Sequence, residues 1–227
     1  SWRCTFKTED SNIHFAALAP NRQAYGQLSK LVTLCRRREK KGQYRFKLND
    51  LRQQIRDCLL IWFPNADYLS QRHSLPFLND LDQFVKTTQN RLWIGVEYFY
   101  SDKDTQLTQT VNDLQQRYQL PLIACGNVHM HIAERKPLQD IITAIRLGLT
   151  VQSAGVALHA NRERYLRPIH EIIALYPPAL IEATQQLCQQ CHFSLDELRY
   201  EYPEELVPPH ITATEYLKQL VEQEKYV

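Results

Sequence analysis

Leu120-Pro-Leu-Ile-Ala-Cys-Gly-Asn-Val-His-Met-His131 is the stretch from which the fold is read. Leu120 to Cys125 is a short apolar run with a polar helical pattern before it and Gly126 after it. That pattern predicts a central strand, buried on both faces of a parallel sheet. Past its carboxyl end, Asn127, His129 and His131 stand at alternate positions, so a two-residue period would point all three side chains the same way. Strand ends of this kind are where α/β sheets build their sites. Two readings stay open on spacing alone. The polar residues mark the exit of a strand into solvent, or the imidazoles form part of a metal site, since histidine is the commonest side-chain ligand of zinc and similar ions.

The 227 residues, 44% of them hydrophobic, suffice for one substantial core and a smaller appendage. Lys and Arg total 27 against 25 for Asp and Glu, a net charge of +2 that gives no global reason to expect a polyanion partner but permits a local patch. The longest strongly apolar run, Cys58 to Phe63, is far too short to cross a bilayer, and the polar start Ser1-Trp-Arg-Cys-Thr5 lacks the architecture of a secretory signal. Cysteines at 4, 35, 58, 125, 188 and 191 are dispersed, several inside apolar runs, which suits reduced thiols in a cytoplasmic protein.

Ile13 to Ala19 reads as a strand, and Tyr25, Leu28, Leu31, Val32 and Cys35 follow at helical spacing. Arg36-Arg-Arg-Glu-Lys-Lys-Gly42 comes next, with Tyr44 to Phe46 beyond it. Its cations Arg36, Arg37, Arg38, Lys40 and Lys41 make either a solvated helix terminus or a phosphate-gripping patch beside aromatics. Cys58 to Phe63 is the second apolar run; Asp80 to Gln89 looks helical. Arg91 to Phe99 is the third run and carries Glu97, a carboxylate that needs a partner if buried. Asp104 to Tyr118 reads as a helix leading into the 120–125 strand. The alternation predicts a parallel α/β sheet, open or barrel-like.

After His131 the pattern turns helical. Pro137 opens a helix in which Leu138, Ile141, Ile142, Ile145 and Leu147 are expected to form the buried face, with Gly148 as its cap. Further helices are expected over Asn161 to Leu175, Ala179 to Cys191 and Thr212 to Lys225, with Arg199 to Pro209 an extended connector. Cys188-Gln-Gln-Cys191-His192 has the spacing of a haem attachment or redox pair. It also continues the stripe Leu180, Ala183, Thr184, Leu187, which favours packing over chemistry.

Four stretches together, Ile13 to Leu28, Pro121 to His131, Arg135 to Asp140 and Phe193 to Glu205, resemble the amino-terminal region of bacterial C-family DNA polymerases, the DNA polymerase III alpha-like enzymes. The last three are most similar to the error-prone branch used in damage-induced synthesis. The resemblance implies a polymerase-and-histidinol-phosphatase (PHP) domain, a distorted seven-stranded α/β barrel. Residues 1–155 would supply part of that barrel without its early strands, and residues 156–227 a helical extension and connector toward the polymerase palm. It also implies that His14, Glu97, Asn127 and His129 stand at metal-site positions. Asn127 replaces the aspartate of the family's Asp-x-His pair, which weakens affinity for hard or borderline cations. By the resemblance, the family's His-x-His pair would be expected before Ser1 and its palm carboxylates after Val227.

The resemblance therefore implies a scaffold segment of an error-prone DNA polymerase with a degenerate site for Zn or Mn, the Mg of nucleotidyl transfer belonging to the palm. DNA, and through the parent chain a sliding clamp and accessory mutagenesis proteins, are the expected partners; no membrane is. A metal-dependent phosphoesterase, as proofreading exonuclease or pyrophosphatase, is one alternative, and a non-catalytic DNA- or partner-binding module another. A barrel lacking early strands should also leave an unpaired sheet edge and fold weakly.

Overall fold

The computed structural model describes residues 2–7, 12–64, 74–199 and 207–224. The chain divides into two compact units, Ser1–Phe193 and Ser194–Val227. The first unit is an α/β layer structure. Its strands are β1 (Trp2–Lys7), β2 (Asn12–Leu18), β3 (Leu59–Trp62), β4 (Leu92–Glu97) and β5 (Leu122–Cys125). Its helices are α1 (Arg22–Arg37), α2 (Asn49–Gln53), α3 (Leu75–Thr88), α4 (Asp104–Tyr118), α5 (Lys136–Leu147), α6 (Val151–Ala154), α7 (Ile169–Leu175) and α8 (Pro178–Gln189).

The strands form one sheet in chain order, β1 to β5. Its pairing corrects the expectation of a parallel sheet. β1–β2 and β2–β3 are antiparallel, while β3–β4 and β4–β5 are parallel. Between Lys7 and Asn12 there is no room for a crossover, so β1 and β2 must run in opposite directions. Parallel order begins where α3 and α4 supply the crossovers. β5 is likewise not central. It is the outer strand of the described sheet, and only Ile123 of its four residues is fully buried.

Alternation sorts the strands into two faces. Ile13, Phe15, Ala17, Leu60, Trp62, Leu92, Ile94 and Val96 point into the larger core, where Ala24, Leu28, Leu31 and Cys35 of α1, Phe77, Leu81 and Phe84 of α3, and Val111 and Leu114 of α4 meet them. Ala16, Leu59, Ile61, Phe63 and Ile123 occupy the opposite face with Leu187 of α8. On that face Gly95 is obligatory, because a Cβ there would lie 2.5 Å from the Phe63 ring and 2.9 Å from Ile61.

Local chemistry fixes the element ends. The Asn21 side chain caps α1 by accepting the Ala24 N–H at 2.9 Å, and Arg36 and Arg37 complement the dipole in its last turn. Arg38 then grips the buried Asp50 with two nitrogens, at 2.6 and 2.9 Å, tying the end of α1 to α2. The helix expected over Asn161 to Leu175 is shorter: α7 starts at Ile169, since Pro168 disfavours helical backbone at Arg167, and Tyr165 instead makes a parallel bridge with Met130.

The largest departure is α5. It starts beside Pro137 and ends on Gly148 in the left-handed conformation, both as expected. Yet its buried residues are Thr143 and Ala144, while Leu138, Ile141, Ile142, Ile145 and Leu147 are all exposed. Helical spacing puts Leu138, Ile141, Ile142 and Ile145 on one face, with Leu147 turned toward the Thr143 side; nothing in the described first unit covers that face.

In the second unit, Ser194 and Glu197 form a reciprocal cap on the turn at Leu195–Glu197. α9 (Ala213–Glu224) is preceded by Thr212, whose hydroxyl accepts the Glu215 N–H while the Glu215 carboxylate accepts the Thr212 N–H. Most of the connector expected over Arg199 to Pro209, and Lys225, lie outside the described residues.

Candidate functional site at the carboxyl rim of the sheet

β3, β4 and β5 are parallel, so their carboxyl ends share one rim. Because β2 runs the other way, its first residues reach the same rim, and the Phe63 N–H donates to the His14 carbonyl at 2.8 Å. Register then places His14, Phe63, Gly95 and Glu97 on the same face, the one opposite the larger core. Topology thus brings the rim positions of His14 and Glu97 to one side of the sheet.

Asn127 and His129 follow the end of β5. Regular strand ends at Cys125, and Asn127 has φ 43°, a left-handed conformation that asparagine tolerates better than most residues. The turn interrupts the two-residue alternation at Asn127, while His129 and His131, on either side of the buried Met130, line one cavity. The His129 N–H donates to the Arg164 carbonyl at 2.7 Å, and the His129 ring packs on His159 with centroids 4.8 Å apart. Burial, with the nearby Arg164, His129 and Lys136, pulls His159 down to about 4, so this imidazole is neutral at physiological pH.

The segment 158–168 folds over the rim. Asn161 Nδ2 donates to the Phe99 carbonyl at 2.6 Å, and the Arg164 guanidinium lies 3.7 Å from the centroid of the Phe99 ring. Arg167, almost fully buried, donates to the Tyr98 carbonyl at 3.2 Å and pairs with Glu163. Tyr176 completes the closure. Its hydroxyl accepts the Tyr98 N–H at 3.2 Å and donates to the Cys125 carbonyl at 2.7 Å, joining the exits of β4 and β5. Burial pushes that phenol up to about 12, so it stays protonated.

The outer edge of β5 is also covered. Thr184 of α8 accepts the Ala124 N–H at 3.0 Å and donates to the Leu180 carbonyl at 2.8 Å. The unpaired edge expected from sequence is, at β5, bonded by a side chain and shielded by a helix.

Two cavities flank this rim. One, of about 630 Å³, is lined by His129, His131 and His159 and by Arg135, Gln139 and Arg146 around Leu138 and Ile142. The other, of about 280 Å³, is mostly apolar and lies between Val128, Leu166, Ile169 and Tyr176.

A bound zinc or manganese would need at least three converging ligands. Among the described residues no three His, Cys, Asp or Glu side chains are so grouped. Asn127 carries no charge to offer a cation, and the His129 ring packs on His159. The basic stretch is divided as well. Arg38 is committed to Asp50, Glu39 pairs with Arg45, and Arg36 lies 5.8 Å from the Tyr44 ring centroid, which leaves Arg37, Lys40 and Lys41 as solvated cations. Of the cysteines, Cys35 and Cys58 are buried free thiols, Cys191 packs beside Leu187, and Cys188 faces solvent. His159, Arg164 and Tyr176 had no signal in the sequence, since each acts through a partner distant in the chain.

No protein-family model matches the chain. Curated proteins do. It is 44% identical over 209 residues to the error-prone DNA polymerase of Saccharophagus degradans, which covers 91% of this chain and 20% of that one. The error-prone DNA polymerase of Teredinibacter turnerae is 41% identical over 95% of this chain, and that of Methylococcus capsulatus 42% over 96%, each again across 20% of the relative. The chain thus spans about a fifth of the length of the curated relatives it matches. It is a homologue of one region of the error-prone DNA polymerases.

Proposed function

We propose that this chain is a scaffold segment of an error-prone DNA-directed DNA polymerase whose full form extends a primer by nucleotidyl transfer, in damage-induced, translesion-type synthesis. The observation that carries the reading is identity of 41–44% to three polymerases over nine tenths or more of this chain. In the proposed arrangement residues 1–155 are part of a PHP-type barrel and residues 156–227 the extension toward the palm. The mixed sheet with helices packed on both faces, and the gathering of His14 and Glu97 at its carboxyl rim, support that reading. DNA is the partner of the whole polymerase, with a sliding clamp and accessory mutagenesis proteins acting through it.

The role of the rim in this proposal is mechanical. Asn161 and Arg167 bond the exit of β4 to the 158–168 segment, and Tyr176, at the end of α7, joins the exits of β4 and β5. No chemical step is assigned to His14, Glu97, Asn127 or His129. The test is primer extension by a full-length polymerase carrying residues 1–227, on damaged and undamaged templates with magnesium. Extension is expected on both; a folded full-length product without extension on either would sink the reading.

A further inference from the structure

α5 carries its large apolar residues on the outside. Ile145 is 73% exposed and Ile142 58%, Leu138 and Ile141 are each 46% exposed, and Leu149, Val151 and Val156 extend the apolar surface beyond the helix. Contiguous apolar surface of this kind is rare on a folded monomer and marks a contact surface. Two other observations describe what fits against it. The groove along α5 is rimmed by Arg135, Arg146 and His131, and no carboxylate pairs with Arg135 or Arg146 among the described residues. Finally, the matching polymerases are about five times as long as the region aligned with this chain.

We infer that the outer face of α5 is a docking surface for a segment of the same polymerase chain outside residues 1–227, an apolar segment with flanking carboxylates. This rests on the polymerase reading above. Leu138, Ile142 and Ile145 supply the apolar contact, and Arg135 and Arg146 set its register through charge. Such a contact leaves the charged residues at the rim and the aliphatic ones in the centre, the usual order of a stable interface.

The experiment compares thiol labelling of Ile145→Cys, read by mass spectrometry at that site, in the 227-residue chain and in a full-length polymerase carrying it. Leu75→Cys on α3, where Leu75 is 74% exposed, is the control. Labelling at 145 is expected to slow by about tenfold or more in the full-length chain, with the control rate unchanged. Equal rates at 145 in both chains overturn the proposal. So does slow labelling at 145 in the 227-residue chain that speeds up on dilution, because the occupant is then a second copy; slowing of the full-length chain only when primed DNA is added assigns the face to nucleic acid and overturns it too. Where Ile145→Cys fails to fold, Ile142→Cys is read in the same way. Primer extension is measured on the same full-length preparation. Lost docking with extension intact removes this inference alone, whereas absent extension removes the polymerase reading.

Discussion

α1 and α5 are both amphipathic helices, and their fates are opposite. In α1 the apolar stripe Ala24, Leu28, Leu31 and Cys35 is buried against β2 and β3, and Leu31 is completely enclosed. In α5 the stripe Leu138, Ile141, Ile142 and Ile145 faces outward while Thr143 and Ala144 are inside. The pattern announces that one side of each helix is meant to be covered. It does not say whether the cover lies in the same folding unit, because periodicity encodes a direction and not a partner. The difference separates residues that stabilise this chain from residues that make it part of something larger.

Substitutions can break or sharpen that contrast. Leu31→Ala removes three buried heavy atoms from a closed site and is expected to cost about 3 kcal/mol, read as a lower urea midpoint with unchanged slope. A loss below about 1 kcal/mol would mean that α1 is no better packed than α5. Asp50→Ala is next. It leaves the Arg38 guanidinium with the Arg45 carbonyl alone and the Lys47 N–H without its acceptor, at an expected cost of about 2 kcal/mol by the same measurement, and an Asp50→Asn variant should recover part of it.

Tyr176→Phe keeps the ring on Tyr98 but removes the hydroxyl that links Tyr98 to Cys125, at an expected cost of about 1 to 2 kcal/mol. Faster amide exchange at Tyr98, with little change in the core strands, would show that the rim opens locally. The smallest effect belongs to α5. Ile145→Ala in the 227-residue chain should change stability by no more than about 0.5 kcal/mol in thermal or urea melts. A loss as large as that of Leu31→Ala would show that the α5 face is covered within this chain after all.

Much of the sheet was legible. Cys58 to Phe63, Arg91 to Phe99 and Leu120 to Cys125 each contain a strand, and Asp104 to Tyr118 is a helix over that same span, because short apolar runs and long amphipathic ones leave direct marks. Strand direction left none. The antiparallel β2–β3 pair is joined through α1 and α2 much as a parallel pair would be, so the alternation of elements misreported it. At the rim, His14 and Glu97 could be placed together by register once the sheet order was known. Asn127 could not be placed, since one left-handed residue redirects everything after it, and a two-residue rule assumes a strand that has already ended. Arg38 illustrates the same limit: it reads as a member of a basic run and serves as the partner of a buried carboxylate. Tyr176 and His159 have meaning only across separations of 51 and 30 residues, to Cys125 and His129.

The threonine at 184 has a consequence for how this sheet would look in isotope exchange. An outer strand ordinarily gives up its outward-facing amide protons quickly, because water is their only partner. Here the Ala124 N–H points at the Thr184 hydroxyl under the cover of α8, so its exchange is governed by the lifting of a helix instead of the fraying of a strand. Thr184→Val keeps the shape of the side chain and removes that acceptor. The amide of residue 124 would then report, as a single protected site turning labile, whether α8 is seated on the sheet.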